Sequence, residues 1–164
     1  MSIRRAATAF GAISLGLITL SACDKPTPAA TVTVGSKSVQ AEATAACRES
    51  GGKKLPESVF VTCLQNTPKH HITVPVGDQV RIGVDPSIGK KGWLIAANTT
   101  LVTNEVLKDK TYWSLDSAQL FQQSDPQTGS TTVAKSVTLN IVESSDTTGQ
   151  ESYRVIQVKL IRGK

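Results

Sequence analysis

Short runs in which apolar and polar residues alternate recur along most of the chain. In one of the clearest runs, Val80, Ile82 and Val84 are separated by Arg81 and Gly83. This two-residue period is that of a strand with one buried face, because successive side chains of a strand point to opposite faces. No stretch after the first thirty residues keeps the 3.6-residue period of a long amphipathic helix. The pattern therefore predicts an all-β domain.

About eight or nine short strands can be placed, with turn residues between them, which favours an immunoglobulin-like β-sandwich of antiparallel strands. The predicted strands lie within residues 31–34, 38–41, 59–63, 72–76, 80–84, 93–97, 112–115, 133–141 and 156–160. Gly35 supplies a hairpin turn, and Val76-Gly77-Asp78 joins two runs as a β-hairpin or a β-arch. Leu120-Phe121 fits either a strand or a helical turn opened by Ser114 or Asp116, and residues 124–129 form a turn cluster.

The first 22 residues have the order of a secretory signal peptide. Arg4 and Arg5 precede a short apolar run, and small residues follow it. The run is short for a membrane span, which needs about 20 residues of predominantly apolar character. We therefore expect residues 1–22 to be removed, by either the general or the twin-arginine export route.

The segment Leu20-Ser21-Ala22-Cys23 resembles the bacterial lipobox. The resemblance implies that the Cys23 thiol receives a diacylglycerol and that cleavage makes Cys23 the new N-terminus. Two or more acyl chains give stable anchoring, where a single chain binds only marginally. The expected location is the extracytoplasmic face of the cell membrane, with residues 23–30 as a flexible tether. The alternative is an ordinary signal peptide with a chance cysteine.

The remaining residues, 31–164, suffice for one domain. Of the three cysteines, Cys23 is assigned to lipid, so Cys47 and Cys63 remain. Outside the reducing cytosol these two are expected to form a disulfide, with a metal pair or a reactive thiol as alternatives.

The chain has 18 lysines and arginines and 13 acidic residues. Two of the basic residues lie in the predicted signal peptide, so 16 remain against the 13 acidic ones. This small, scattered excess does not favour a nucleic-acid partner.

The residues needed for catalysis or metal binding are scarce. The two histidines, His70 and His71, are adjacent, so in a strand they point to opposite faces and chelate one metal poorly. The chain has no Gly-x-Ser-x-Gly element, no phosphate-binding loop at residues 89–92, and Glu143 and Asp146 lie in a predicted polar loop. We therefore expect no enzyme activity, metal or cofactor. The alternative is a metal carrier or enzyme that uses His70 and His71.

Loops on a rigid sandwich commonly carry function, and two loops here combine lysines with large aromatic residues. The candidate partner-binding residues are Lys90, Lys91, Trp93, Lys108, Tyr112 and Trp113. Tryptophan is frequent among the residues that dominate interfaces. Trp93 begins an apolar run, however, so a place in the core is the alternative interpretation for it.

A family resemblance rests on several of these segments together. Val76-Gly77-Asp78, the alternating run 80–84, Asp85-Pro86 and Gly92-Trp93, with the lipobox, resemble small actinobacterial lipoproteins whose shared domain has no known function. The resemblance covers most of residues 31–162 and implies no catalytic residues. It favours a membrane-anchored binding or interaction module with an unknown protein or small-molecule ligand. A structural protein of the cell envelope is a further alternative.

Overall fold

The computed structural model describes residues 26–124 and 129–163. The predicted signal peptide and Cys23 lie outside the described residues, as do residues 125–128 of the predicted turn cluster. Strands predominate in the described part, and all but one of the strand pairs are antiparallel. The predicted all-β class is therefore confirmed.

The strands and helices have the following bounds. The strands are β1 (Ala29–Val34), β2 (Lys37–Glu42), β3 (His71–Val74), β4 (Gln79–Val84), β5 (Trp93–Ala97), β6 (Thr100–Leu101), β7 (Tyr112–Asp116), β8 (Gln122–Ser124), β9 (Thr131–Val133), β10 (Ser136–Ser144) and β11 (Ser152–Arg162). The α-helices are α1 (Glu57–Gln65), α2 (Pro86–Lys91) and α3 (Ser117–Phe121), and 3-10 turns lie at Ala45–Cys47 and Ser50–Gly52.

Two sheets pack face to face around the main core. One has the strand order β2-β1-β4-β7, and the other has the order β3-β11-β10-β5-β6 with β3 parallel to β11. The core between them contains Val32 and Ile82 from the first sheet and Ile95, Ile141 and Val158 from the second, all almost completely buried. β8 and β9 form a separate small hairpin.

Three connections between strands bear on the predictions. β1 and β2 form the predicted hairpin, in which Val34 pairs with Lys37 and Gly35 adopts a positive φ of 56°. The connection at residues 76–78 is an arch rather than a hairpin, because β3 and β4 belong to different sheets. The long C-terminal hairpin of β10 and β11 is present as predicted.

The predicted strand at residues 59–63 is wrong, because this segment forms α1. Positions i and i+4 share a face in both a helix and a strand, so Val59 and Cys63 fit either period. Position i+2 separates the two, and Val61 is 46% exposed whereas Cys63 is 2% exposed. α1 covers the outer face of the second sheet, where a smaller core holds Cys47, Leu55, Cys63, Leu94, Val142 and Val155.

The predicted disulfide between Cys47 and Cys63 is confirmed. The two Cα atoms are 5.7 Å apart, and both side chains are buried. The bond connects α1 to the 3-10 turn at Ala45–Cys47. It therefore holds the helical layer against the outer face of the second sheet.

Two further expectations change in detail, and one alternative left open by the sequence is decided. The loop expected after Asp85 is the short helix α2, since Pro86 at its first turn is preset for a helical φ. β1 begins at Ala29, two residues inside the segment assigned to the tether. The turn at Leu120 is helical, and the Asp116 carboxylate caps it by accepting a hydrogen bond from the Ala118 N–H at 2.7 Å. Within the described ranges, no helix has the length and apolar content to cross a membrane.

Candidate functional site

The six candidate partner-binding residues fall into different environments. Trp93 is fully buried in the main core, and its Nε1 donates a hydrogen bond to the Lys110 carbonyl oxygen at 2.6 Å. Burial removes the apolar ring from water, and the hydrogen bond satisfies its one polar N–H group. The inclusion of Trp93 in a partner-binding surface is therefore corrected, and its alternative interpretation as a core residue holds.

The aromatic residues of β7 lie at the surface near a lysine. Tyr112 is 55% exposed, while Trp113 is partly buried against the core. Lys110 Nζ lies 5.1 Å from the centre of the Trp113 ring, and Lys108 is exposed. These side chains are at least partly accessible at the surface.

The two lysines at the end of α2 point in different directions. Lys90 is exposed, whereas Lys91 is partly buried and lies beside Glu143 and Tyr153. Neighbouring residues of a helix are separated by about 100° around its axis, which explains the difference. Lys91 lines a large cavity.

This cavity, which we call the N-terminal pocket, has a volume of about 640 Å³. It lies beside the segment that leads into β1, between the 3-10 turns, the end of α2 and the ends of β10 and β11. Its charged and aromatic lining consists of Arg48, Glu49, Lys91, Glu143, Tyr153 and Arg154. The size is in the range of pockets that hold small ligands.

A buried carboxylate lines the N-terminal pocket. Glu143 is 7% exposed and is paired in register with Arg154 across β10 and β11. Arg154 Nε lies 3.2 Å from Glu143 Oε2, an ion pair in which the N–H is not aligned as in a hydrogen bond. Lys91 Nζ lies 3.7 Å from Glu143 Oε1. Two cations thus neutralise one carboxylate, which is costly to bury unpaired.

Tyr153 supports Lys91 from the other side. Lys91 Nζ lies 3.5 Å from the centre of the Tyr153 ring, a cation–π contact. The Tyr153 hydroxyl donates to Glu151 Oε2 at 3.2 Å, and Glu151 also pairs with Lys54 at 3.0 Å. The hydrogen bond from Lys54 and its charge lower the pKa of Glu151. The contacts on both sides hold Lys91 over the pocket.

The segment before β1 forms one wall of the pocket. Arg48 Nη1 donates to Thr27 Oγ1 at 2.6 Å, and Arg154 Nη1 donates to the Pro28 carbonyl oxygen at 3.1 Å. Arg48 and Arg154 also face each other in an isolated antiparallel bridge. Three cationic side chains therefore line the pocket, against the carboxylates of Glu49 and Glu143.

The histidines do not share a site. Both are exposed, but His70 lines a groove with Asn66 and Gln157, whereas His71 lines a shallow depression with Lys37 and Val39. In the part of the chain that the structure describes, no group of three or more His, Cys, Asp or Glu side chains is placed to hold a metal ion. The alternating geometry of a strand start separates the two rings.

Sequence reasoning placed Glu143 in a polar loop, and that assignment is wrong because Glu143 lies within β10. The missed signal is that Glu143 continues the two-residue period of Leu139 and Ile141, so its side chain points to the same face. A charged residue in the inward position of a strand indicates a buried ion pair or a site.

Comparison with known proteins finds no matching family, no similar characterised protein and no similar solved structure.

Proposed function

We propose that the chain is a lipoprotein anchored through Cys23 to the extracytoplasmic face of a bacterial cell membrane, and that its domain is a non-catalytic binding module. The binding site in this proposal is the N-terminal pocket. The observation that carries it is the pocket's lining of Arg48, Lys91 and Arg154 directly beside the segment that follows Cys23. Binding modules commonly present such polar groups in a concave site.

The extracytoplasmic location is supported by the disulfide between Cys47 and Cys63. Disulfides form and persist in exported proteins and are rare in the cytosol. The lipobox at residues 20–23 supports anchoring rather than release, because an acylated cysteine retains the chain at the bilayer. At the level of architecture, the two packed sheets support the comparison with an immunoglobulin-like sandwich.

The non-catalytic character is supported by the state of the groups in the pocket. Glu143 is held in ion pairs with Arg154 and Lys91, so its carboxylate oxygens are already engaged by side chains of the domain. The other carboxylate that lines the pocket is Glu49, and it shares that lining with Arg48, Lys91 and Arg154. The arrangement suits recognition of an anionic group better than proton transfer.

The anchoring is tested by intact-mass measurement of the native chain purified from membranes. The expected mass is that of residues 23–164 plus acyl chains, with two hydrogens fewer than the reduced form because of the disulfide. A Cys23→Ala variant should lose the acyl mass and the membrane association. A native product that keeps residues 1–22, or that carries no acyl group, contradicts the proposal.

A further inference from the structure

We propose that the N-terminal pocket binds a phosphate group, and that the phosphate belongs to the headgroup of an anionic phospholipid in the anchoring membrane. The choice of a lipid rather than a free phosphate ion rests on the proposed function, which places Cys23 in the bilayer. The recognition of phosphate rests on the pocket itself. The two parts are therefore tested by separate measurements.

The donors of the pocket suit a phosphate group. Arg48 is exposed and uses Nη1 to reach Thr27, which leaves further guanidinium N–H groups for a ligand. Among the described residues, Arg48 forms no ion pair with a carboxylate. The Lys91 side chain is paired with Glu143 but is still 32% exposed. Guanidinium groups bind phosphate oxygens in a bidentate manner, and an ammonium adds a point charge.

The charge balance favours an anion over a neutral ligand. Arg48, Lys91 and Arg154 face Glu49 and Glu143, so the lining has one positive charge in excess. Glu143 is nine-tenths buried and engaged by two cations, which leaves Arg48 and part of Lys91 to face the cavity. Lys53, which is exposed and next in sequence to the lining residue Gly52, adds a positive charge near the pocket.

The short connection to Cys23 places the pocket at the membrane surface. Two residues, Asp24 and Lys25, lie between Cys23 and Pro26, which lines the pocket, and the three Cα–Cα steps between them span at most about 11 Å. The polar headgroup layer is about 5–8 Å thick on each side of the bilayer. Because Thr27 and Pro28 are hydrogen-bonded to Arg48 and Arg154, this end of the domain cannot move far from the anchor. Phosphate groups of the headgroups are therefore within reach.

The test uses the native acylated chain, labelled with ¹⁵N and reconstituted into nanodiscs of phosphatidylcholine with increasing fractions of phosphatidylglycerol. We expect the backbone amide signals of Arg48, Gly51 and Gly52 to shift with the phosphatidylglycerol fraction, while those of the distant turn at Gly35 do not. Arg48→Gln should raise the fraction needed for half of the shift about fivefold, as expected for loss of one cationic group near an anionic surface. Arg154 is left unchanged in this test, because its removal leaves Glu143 buried with one cation fewer.

The matched control is Lys37→Gln, which removes an exposed lysine at the β1–β2 turn and leaves the pocket intact. It should leave the phosphatidylglycerol dependence unchanged. Equal effects of Arg48→Gln and Lys37→Gln overturn the proposal, because the response is then one to general surface charge. Pocket signals that do not respond to phosphatidylglycerol overturn the lipid as the source.

A second arm titrates inorganic phosphate into the same chain in a neutral detergent. Shifts at Arg48, Gly51 and Gly52 that Arg48→Gln weakens support phosphate recognition, and they do so whether or not Cys23 is acylated. Shifts with inorganic phosphate but none with phosphatidylglycerol assign the site to a free phosphate group and overturn the lipid source. The absence of a response in both arms overturns the whole inference while the anchoring proposal stands.

Discussion

Glu143 is the residue on which the charge balance of the N-terminal pocket depends. Its carboxylate is buried at the end of β10 and is held by Arg154 and Lys91. Buried ion pairs contribute little net stability compared with apolar packing, but breaking one leaves a charge that is poorly solvated. The pair therefore matters more for the shape and charge of the pocket than for the stability of the fold.

Arg154→Ala should destabilise the domain by about 3 kcal/mol, because Glu143 then keeps Lys91 as its partner at 3.7 Å and loses the closer one. The free energy of unfolding from urea titration measures this change. Arg162→Ala, which removes an exposed arginine from the same strand, should cost less than about 0.5 kcal/mol. Equal losses for the two variants contradict the importance of the ion pair.

Gly92 requires both its backbone conformation and its lack of a side chain. Its φ is 113°, and a Cβ would lie 2.6 Å from Val106 Cγ1 and 2.8 Å from the Ser144 carbonyl oxygen. Gly92→Ala should therefore cost at least about 2 kcal/mol more than Gly77→Ala, where φ is also positive but a Cβ meets open space. Thermal or urea unfolding compares the two variants. Similar costs would show that the close approach is relieved by movement of the loop.

Asp146 organises the loop between β10 and β11. Partial burial alone would raise the pKa of its carboxyl, but hydrogen bonds from Thr148, backbone N–H groups and Ser144 outweigh it, so the pKa lies below its ordinary value. Asp146 Oδ2 accepts from Thr148 Oγ1 at 2.9 Å, and Oδ1 accepts from the Gly149 N–H at 3.0 Å.

A lowered pKa means that the charged form stabilises the folded state. The contribution is complete above the unfolded-state pKa of about 3.9 and is lost as the pH falls through the lower folded-state pKa. Asp146→Asn should cost about 1 kcal/mol at neutral pH and remove this component of acid unfolding. Urea titrations between about pH 2 and pH 7 measure both effects, because this range extends to about two units below the ordinary pKa of an aspartate. An unchanged acid profile in Asp146→Asn would contradict this role.

At the scale of elements, α1 and its disulfide form a layer outside the sandwich. Val59, Phe60 and Leu64 pack against Leu94, Val142 and Val155 on the outer face of the second sheet. Both faces of β5 and β10 are therefore buried, which accounts for the continuous apolar run at the start of β5. The local pattern could not distinguish α1 from a strand, because the decisive contacts come from strands far along the chain.

Replacing both Cys47 and Cys63 by alanine should lower the free energy of unfolding by about 3 kcal/mol. The disulfide closes a loop over a sequence separation of 16 residues, and its loss gives the unfolded chain more conformational entropy. Hydrogen exchange should then increase first in α1 and only later in β10 and β11. Val61→Ala, on the exposed face of the same helix, should change stability by less than about 0.5 kcal/mol. If hydrogen exchange increases in β10 and β11 as early and as much as in α1, the helical layer is not separable from the sheet.

At the scale of the whole molecule, the proposed anchoring at Cys23 makes the distance between that residue and the pocket the factor that controls what the pocket can reach. Thr27 and Pro28 are bound to the domain, so the free connection to Cys23 is short. Inserting about ten Gly and Ser residues after Asp24 adds a flexible coil of about 17 Å in root-mean-square length. The effective concentration of headgroups at the pocket falls as the linker lengthens.

We expect this insertion to leave acylation and membrane retention unchanged and to raise the phosphatidylglycerol fraction needed to shift the pocket signals. The measurement is the nanodisc titration with the inserted chain and the native chain in parallel. An insertion of the same length at the β1–β2 turn after Gly35, at the far end of β1 from the pocket, is the control for length alone. Identical titrations for both chains and the control would show that proximity to the anchor does not matter.

The sequence alone determined those features that depend on local pattern or on a pair of cysteines. The period-two runs and turn residues identified most strands, the β1–β2 hairpin and the β10–β11 hairpin, and the two cysteines left in a domain expected to be exported indicated the disulfide. Only the tertiary structure decided that 59–63 is a helix, that Trp93 is buried and that Lys91 turns toward Glu143. These outcomes depend on contacts between segments far apart in the chain, because burial and charge pairing are set by the packed neighbours of a residue and not by its position in a run.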